Sequence, residues 1–126
     1  MSEARITLGK HGEDLAANHL LGKGYKIIVR NYRQKTGEID IIAHDDDCLV
    51  FVEVKTRKST LFGQPFEAVT QKKQAQLGRV ALDYMNRNKL LEQPARFDVI
   101  SILINKDGKA AIEHLCNCFE PGNGFY

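Results

Sequence analysis

Two apolar runs joined by three aspartates constrain the fold of this chain most. The runs are "GEIDIIAH" (Gly37–His44) and "CLVFVEVKTR" (Cys48–Arg57), and only residues 45–47 separate them. Both are rich in β-branched and aromatic residues, which favour strands, and so short a polar connection is typical of an antiparallel hairpin. We therefore expect two paired strands with a two-residue turn at Asp46 and Asp47.

Three charged residues interrupt these apolar strands. Side chains alternate faces along a strand, so Asp40 and Ile42 are expected on one side of the first strand, and Phe51, Glu53 and Lys55 on one side of the second. The expected turn sets Asp40 opposite Glu53, with Lys55 one step further along. The sequence thus predicts that two carboxylates and an ammonium converge, provided that this register holds.

The other periodic segments define an α/β domain. Helical spacing of apolar residues predicts helices over Ala4–Leu21 and Pro65–Leu91. Further strands are indicated at Tyr25–Tyr32, Arg96–Ile104 and Ala110–Leu115. The order is αβββαββ, which is best buried as a central sheet flanked by helices, with the fourth strand beside the third by way of the second helix.

Length and composition limit the classes of protein. The 126 residues suit a single domain over 1–126, and no stretch approaches the roughly 20 apolar residues of a membrane span. The N-terminus lacks the apolar region of a signal peptide, and three cysteines suggest reduced thiols rather than a disulfide framework. A cytoplasmic protein is expected. Its formal net charge of +2 neither requires nor excludes a nucleic-acid partner.

A fourth ionisable residue belongs to an apolar helix face. Glu13 follows the same stripe of the first helix as Ala16, Ala17 and Leu20, at i, i+3, i+4 and i+7. A buried carboxylate needs a partner or a proton, and a cation is one such partner. Alternatively, Glu13 has a structural role, as an acid near the helix N-terminus that interacts favourably with the helix dipole.

Metal-assisted hydrolysis of a phosphodiester requires this set of residues. Mg²⁺ prefers hard oxygen ligands and is usually held by one or two carboxylates plus phosphate oxygens, a role that suits Asp40 and Glu53. Lys55 would orient the attacking water or neutralise the charge that develops on the phosphate. The alternative for the two acids is a structural ion-pair network with Lys55 or Arg57.

Motifs along nearly the whole chain resemble a known family. "HGEDLAANHLLGKGYKIIVRNYR", "GEIDII", "FVEVKTR", "TQKKQAQLGRVALDYM" and "RFDVISI" resemble the YraN-like family of predicted endonucleases, within the PD-(D/E)XK nuclease superfamily and related to archaeal Holliday-junction resolvases. The resemblance implies a restriction-endonuclease-like fold with a mixed sheet. It implies that Asp40 and Glu53 are metal ligands, Lys55 the catalytic lysine and Glu13 an accessory acid. Ile39 replaces the Pro of the superfamily's name.

Basic and amide side chains around these acids are candidates for binding phosphate. Lys73 and Gln74 resemble the family's Lys-Gln pair, although a solvated helix face would explain them equally well. Five basic residues bracket the acidic site in the sequence and would form a phosphate-binding rim: Arg30, Arg33, Lys35, Arg57 and Lys58.

These observations predict a Mg²⁺- or Mn²⁺-dependent endonuclease that hydrolyses DNA, including branched or junction DNA. The main alternative is a non-catalytic nucleic-acid-binding module that keeps the nuclease fold, and a weaker one is an adaptor with no affinity for nucleic acid. A homodimer is expected if the substrate is a four-way junction, because symmetric resolution needs two active sites.

Three potential metal ligands alternate near the C-terminus. His114, Cys116 and Cys118 would share one face of an extended segment and would suit Zn²⁺ if a fourth ligand existed. The sequence shows no such ligand, so buried or idle thiols are expected.

Overall fold

The structure is a computed structural model that describes residues 3–58 and 69–119. Two helices and five strands follow one another in the order αβββαββ. The helices are α1 (Glu3–Gly22) and α2 (Gln71–Arg87). The strands are β1 (Lys26–Gln34), β2 (Gly37–Asp45), β3 (Cys48–Lys58), β4 (Ala95–Ile104) and β5 (Ala110–Phe119).

The five strands form one mixed sheet in the order β1-β2-β3-β4-β5. β3 and β4 are parallel, and the other neighbouring pairs are antiparallel. A parallel pair needs a long crossover, and α2 lies within the connection from β3 to β4. This confirms the predicted α/β layout, including the return of the fourth strand beside the third.

Two apolar clusters cover the two faces of the sheet. The first, here the α1 core, joins Ala16, Ala17 and Leu20 to sheet residues such as Ile41 and Val52. The second, here the α2 core, packs α2 on the opposite face, and its members include Ile39, Ile42, Phe51, Leu77 and Tyr84. Each helix thus buries one apolar stripe against one face, as expected for layered α/β domains.

The predicted boundaries differ from the structure mainly at α2. The prediction started this helix at Pro65, which lies outside the described residues, as do residues 66–68. In the structure Thr70 caps α2 by accepting a hydrogen bond from the Lys73 amide at 3.1 Å. The helix ends at Arg87 rather than Leu91, because Asn88 caps it and Lys89 adopts a positive φ of 57°. Within the described residues no helix is long and apolar enough to cross a membrane.

Candidate active site

The register of the β2–β3 hairpin positions the acidic pair. Asp45 pairs with Cys48 across a turn at Asp46 and Asp47, and the pairing continues to Ile41 opposite Val52. Asp46 has a positive φ of 52°, a conformation that Asp adopts more readily than most residues. The assumed turn is therefore confirmed. Asp40 and Glu53 are the residues directly beyond the last of these pairs.

The alternation of side chains between the two faces of the sheet is interrupted in β2 near Asp40. Ile39 and Ile42 belong to the α2 core, but Ile41 belongs to the α1 core, so the faces do not alternate regularly over these residues. Asn31 of β1 lies between the partners of Ile39 and Ile41 and has a positive φ of 57°. The expectation that Asp40 shares a side with Ile42 is thus wrong, because this local distortion turns Asp40 into a cleft that α1 borders.

Asp40 and Glu53 interact directly as two acids. Burial raises the pKa of Asp40 to about 7, and the charge of Glu53 and a hydrogen bond to it act in the same direction. The Val54 amide opposes the shift by donating a hydrogen bond to Asp40 Oδ2 at 2.8 Å. A shared proton in the absence of any cation follows from this arrangement, because two adjacent, partly buried carboxylates repel each other when both are ionised.

Glu13 has a basic partner. Its side chain is 13% exposed, and its Oε1 lies 2.9 Å from Arg30 Nη2. The Asn31 amide also donates to Oε1 at 3.0 Å, so the distorted residue of β1 holds Glu13 beside the sheet. Arg30 reaches Asp14 as well, at 2.6 Å, and this hydrogen bond lowers the pKa of the exposed Asp14. The sequence predicts that Glu13 needs a partner or a proton, and in the structure its partner is Arg30.

Glu13 and Asp40 line one cleft of about 440 Å³. Glu38 contributes a third carboxylate, and Arg57 contributes a cation to the same lining. Thr56 is part of this lining, and next to it α1 approaches β3 closely at Gly12. Three acids and one base around a single concave surface can hold a cation and a phosphate together.

Glu53 and Lys55 point toward the α2 side of β3. Lys73 Nζ of α2 lies 3.8 Å from Glu53 Oε2, and Glu53 is 15% exposed. Lys55 is two residues further along β3, half-buried, and no salt bridge among residues 3–58 and 69–119 engages it. The acidic pair therefore has α1 with Glu13 on one side and α2 with Lys73 on the other.

The residues predicted to bind phosphate differ in their surroundings. Arg33 is 75% exposed and lies 3.4 Å from Glu38. Lys35 and Lys58 are exposed at the same end of the sheet as Asp40. Gln74 instead donates to the Val69 carbonyl at 2.8 Å, which connects α2 to the residue before its cap.

A second polar cluster lies two strands away, on β4 and β5. Here Asp98, His114 and Cys116 present ligand atoms within 4.8 Å of one another, whereas the Cys118 thiol donates to the Leu115 carbonyl. Asp98 is the residue that sequence reasoning missed. Its signal was an acid within the apolar run "RFDVISILI", and it is only 1% exposed.

Comparisons with known proteins identify relatives over most of the chain. The model of the uncharacterised protein family UPF0102 matches residues 12–102. A UPF0102 protein of Trichlorobacter lovleyi is 46% identical over 114 residues, covering 90% of each chain. One from Thermodesulfovibrio yellowstonii is 50% identical over 116 residues, covering 92% of this chain and 98% of the relative.

A solved structure is distantly similar. It is the structure of Pyrococcus furiosus SfsA in complex with Ca²⁺, with a TM-score of 0.44 and 17% sequence identity. The match covers 88% of this chain and 64% of that chain, so this chain spans less than two thirds of its length.

Proposed function

The chain belongs to the uncharacterised protein family UPF0102, and we propose that it is a metal-dependent endonuclease that hydrolyses phosphodiester bonds in DNA. The observation that carries this proposal is the partly buried pair of acids Asp40 and Glu53, at one end of the sheet, with Lys55 two residues after Glu53. Acids are costly to bury together, so their position calls for a ligand that compensates their charge.

The donor set suits Mg²⁺ or Mn²⁺. Asp40 and Glu53 would hold the ion, since both offer hard carboxylate oxygens and their mutual repulsion is relieved by a divalent cation. When bound, the ion would polarise the phosphate and lower the pKa of a coordinated water. The Val54 amide keeps Asp40 oriented through its 2.8 Å hydrogen bond, which limits the reorganisation needed on binding.

Lys55 is the proposed catalytic cation. It follows Glu53 by two residues on the same face of β3, and the described residues offer its ammonium no salt bridge. An ammonium at this position can orient the attacking water or stabilise the negative charge that builds up on the phosphate. Lys73 keeps Glu53 paired from the α2 side at 3.8 Å and could contact a phosphate when Glu53 turns to the metal.

Glu13 has an accessory role in this proposal. It borders the same cleft as Asp40, and Arg30 and Asn31 fix its carboxylate. Arg30 is shared by Glu13 and Asp14, so its charge is largely compensated before DNA arrives. The proposed phosphate rim therefore depends more on the exposed Lys35 and Lys58, and Arg57 is part of the cleft lining beside it.

The test is cleavage of a labelled panel of single-stranded, duplex, flap and four-way-junction DNA, with an RNA strand of the same sequence. Each substrate is incubated with Mg²⁺, with Mn²⁺ and with EDTA. We expect metal-dependent cutting of DNA that falls at least 100-fold in Asp40→Ala and in Lys55→Ala. Lys26→Ala is the matched control, because Lys26 is an exposed lysine at the opposite end of β1 from the cleft.

Two results would count against the enzyme. Cutting that persists in both site variants would come from another site or a contaminant. DNA binding without cutting under every metal condition would favour a non-catalytic nucleic-acid-binding module. We include a preference for junction DNA in this proposal, together with the homodimer that symmetric resolution of a junction would require. A cytoplasmic location is also part of the proposal.

A further inference from the structure

A second group of ligand atoms lies beside the C-terminal end of α1. Asp98 of β4 and His114 and Cys116 of β5 offer one oxygen, one nitrogen and one sulfur within 4.8 Å of one another. None of the three lines the cleft that Asp40 and Glu13 share. We propose that these three side chains bind a borderline transition-metal ion, with Zn²⁺ the best match, at a site separate from the acidic pair.

Two of the distances between the ligand atoms can be compared with those of a tetrahedral site. From typical Zn–N and Zn–S bond lengths, a nitrogen and a sulfur on one Zn²⁺ lie about 3.6 Å apart, and a nitrogen and an oxygen about 3.4 Å apart. Cys116 Sγ lies 3.7 Å from His114 Nε2, and Asp98 Oδ2 lies 2.8 Å from the same nitrogen. Of these two separations, only the one between nitrogen and oxygen has to increase, by about half an ångström.

The backbone of β5 is shaped around Asp98. The pairing shifts between Phe97 with Phe119 and Val99 with Leu115, so β5 bulges opposite Asp98. Asn117, at the centre of this bulge, has a positive φ of 54°, and its amide donates to Asp98 Oδ1 at 2.9 Å. The bulge thus fixes one carboxylate oxygen, while the other, Oδ2, contacts His114 at 2.8 Å and accepts from Arg96 Nη2 at 3.3 Å.

Outer contacts hold the ligands in place. Arg96 Nε donates to Asp98 Oδ1 at 3.1 Å, and the side chains of Asp98 and His114 are 0% and 3% exposed. Cys116 is exposed, which gives an ion a route to the buried pair. The His19 ring lies 5.7 Å from that of His114, and its buried Nε2 has no hydrogen-bond partner among the described residues.

Two cations compete with the proposed ion. Lys23 Nζ lies 2.9 Å from His114 Nδ1, an arrangement in which Nε2 carries the imidazole proton and donates it to Asp98. Metal binding to Nε2 moves that proton to Nδ1 and turns the exposed Lys23 toward solvent. Arg96 stays paired with Asp45 at 3.1 Å, so its charge remains compensated. The thiol of Cys116 loses its proton to water.

The test is a titration of the full chain with Co²⁺, followed by absorption spectroscopy. Thiolate-bound Co²⁺ gives a sulfur-to-metal charge-transfer band that carboxylate-bound Co²⁺ lacks, so the acidic pair stays silent in this measurement. We expect the band to saturate at one ion per chain. It should disappear in Cys116→Ser and persist in Cys118→Ser, whose thiol instead contacts the Leu115 carbonyl.

A second readout is thermal unfolding with Zn²⁺ in chains that also carry Asp40→Ala, because Zn²⁺ on the acidic pair would otherwise raise the melting temperature as well. Zn²⁺ should raise the melting temperature of Asp40→Ala and of Asp40→Ala with Cys118→Ser, but not that of Asp40→Ala with Cys116→Ser. Circular dichroism checks that all variants fold. A charge-transfer band that is absent at stoichiometric Co²⁺, or that survives Cys116→Ser, would overturn the proposal. Asp40→Ala should keep the band, so failure of the nuclease proposal leaves this result unchanged.

Discussion

Asp40 combines three properties that separate it from the surface acids of this chain. It is partly buried in the lining of the cleft, it adjoins Glu53, and it accepts a hydrogen bond from the Val54 amide. Burial and the second acid raise its pKa to about 7, so near neutral pH the folded chain binds a proton that the unfolded chain releases. Ionising Asp40 therefore costs stability in the absence of metal.

This cost predicts that, in EDTA, the difference in folding stability between Asp40→Asn and the native chain depends on pH. The folded pKa of about 7 exceeds the ordinary value of 3.8, so the native chain loses stability as pH rises between these values, and the loss is complete above about pH 7. Asn carries no charge and keeps an oxygen for the Val54 amide. Asp40→Asn should be more stable than the native chain by about 2 to 4 kcal/mol at pH 8 and equally stable near pH 4.

Urea unfolding at both pH values measures the difference. Asp46→Asn is the matched control, because Asp46 is exposed in the hairpin turn and Asn tolerates its positive φ. That variant should follow the native pH dependence. A stability difference between Asp40→Asn and the native chain that is the same at both pH values would contradict the raised pKa.

At the scale of elements, α1 approaches β3 through a glycine. A methyl group added at Gly12 would overlap the Thr56 side chain, whereas at Gly9, one turn earlier, nothing lies within 4 Å. Gly12→Ala should therefore push α1 away from β3 and lower the free energy of unfolding by about 1 to 3 kcal/mol. Gly9→Ala should raise it by about 0.5 to 1 kcal/mol, because Ala favours the helix.

Chemical denaturation measures the free energy of unfolding of Gly12→Ala and Gly9→Ala and so checks both predictions. The opposite signs of the two changes in free energy of unfolding are more informative than their sizes, because both variants replace Gly with Ala in the same helix. If Gly12→Ala stabilised the chain as Gly9→Ala should, the close contact between α1 and β3 would be wrong. Gly12→Ala should also disturb the cleft, since Thr56 is part of its lining.

The elements were more predictable than the contacts between them. The alternating strands and the short turn at residues 46–47 predicted the hairpin and its register, because both signals are local in the sequence. The distortion at Asn31 was not predictable, since nothing in its neighbours demands a positive φ. The contact of Asp98 with His114 joins residues 16 apart through a bulge, and only the folded sheet reveals it.

At the scale of the whole molecule, α1 connects two polar regions. Glu13 in its middle borders the cleft, and His19, near its C-terminal end, packs against His114 in the second cluster. The residues between them, Ala16 and Ala17, are buried in the α1 core. Changes at one region are therefore expected to add independently to changes at the other, because an apolar layer separates them.

The distribution of charge, rather than the net +2, should govern binding to DNA. Lys35 and Lys58 are exposed at the cleft end of the sheet, and Lys26 and Lys89 are exposed at the other end. Each phosphate contact contributes about 0.9 to the slope of log affinity against log salt concentration on duplex DNA. Lys35→Gln with Lys58→Gln should therefore reduce the slope by about one to two, and Lys26→Gln with Lys89→Gln should leave it unchanged.

Fluorescence anisotropy with labelled duplex DNA at several salt concentrations measures both slopes. Since the two double variants change the net charge equally, equal losses would mean that DNA responds to overall charge, and the proposed rim would then be wrong.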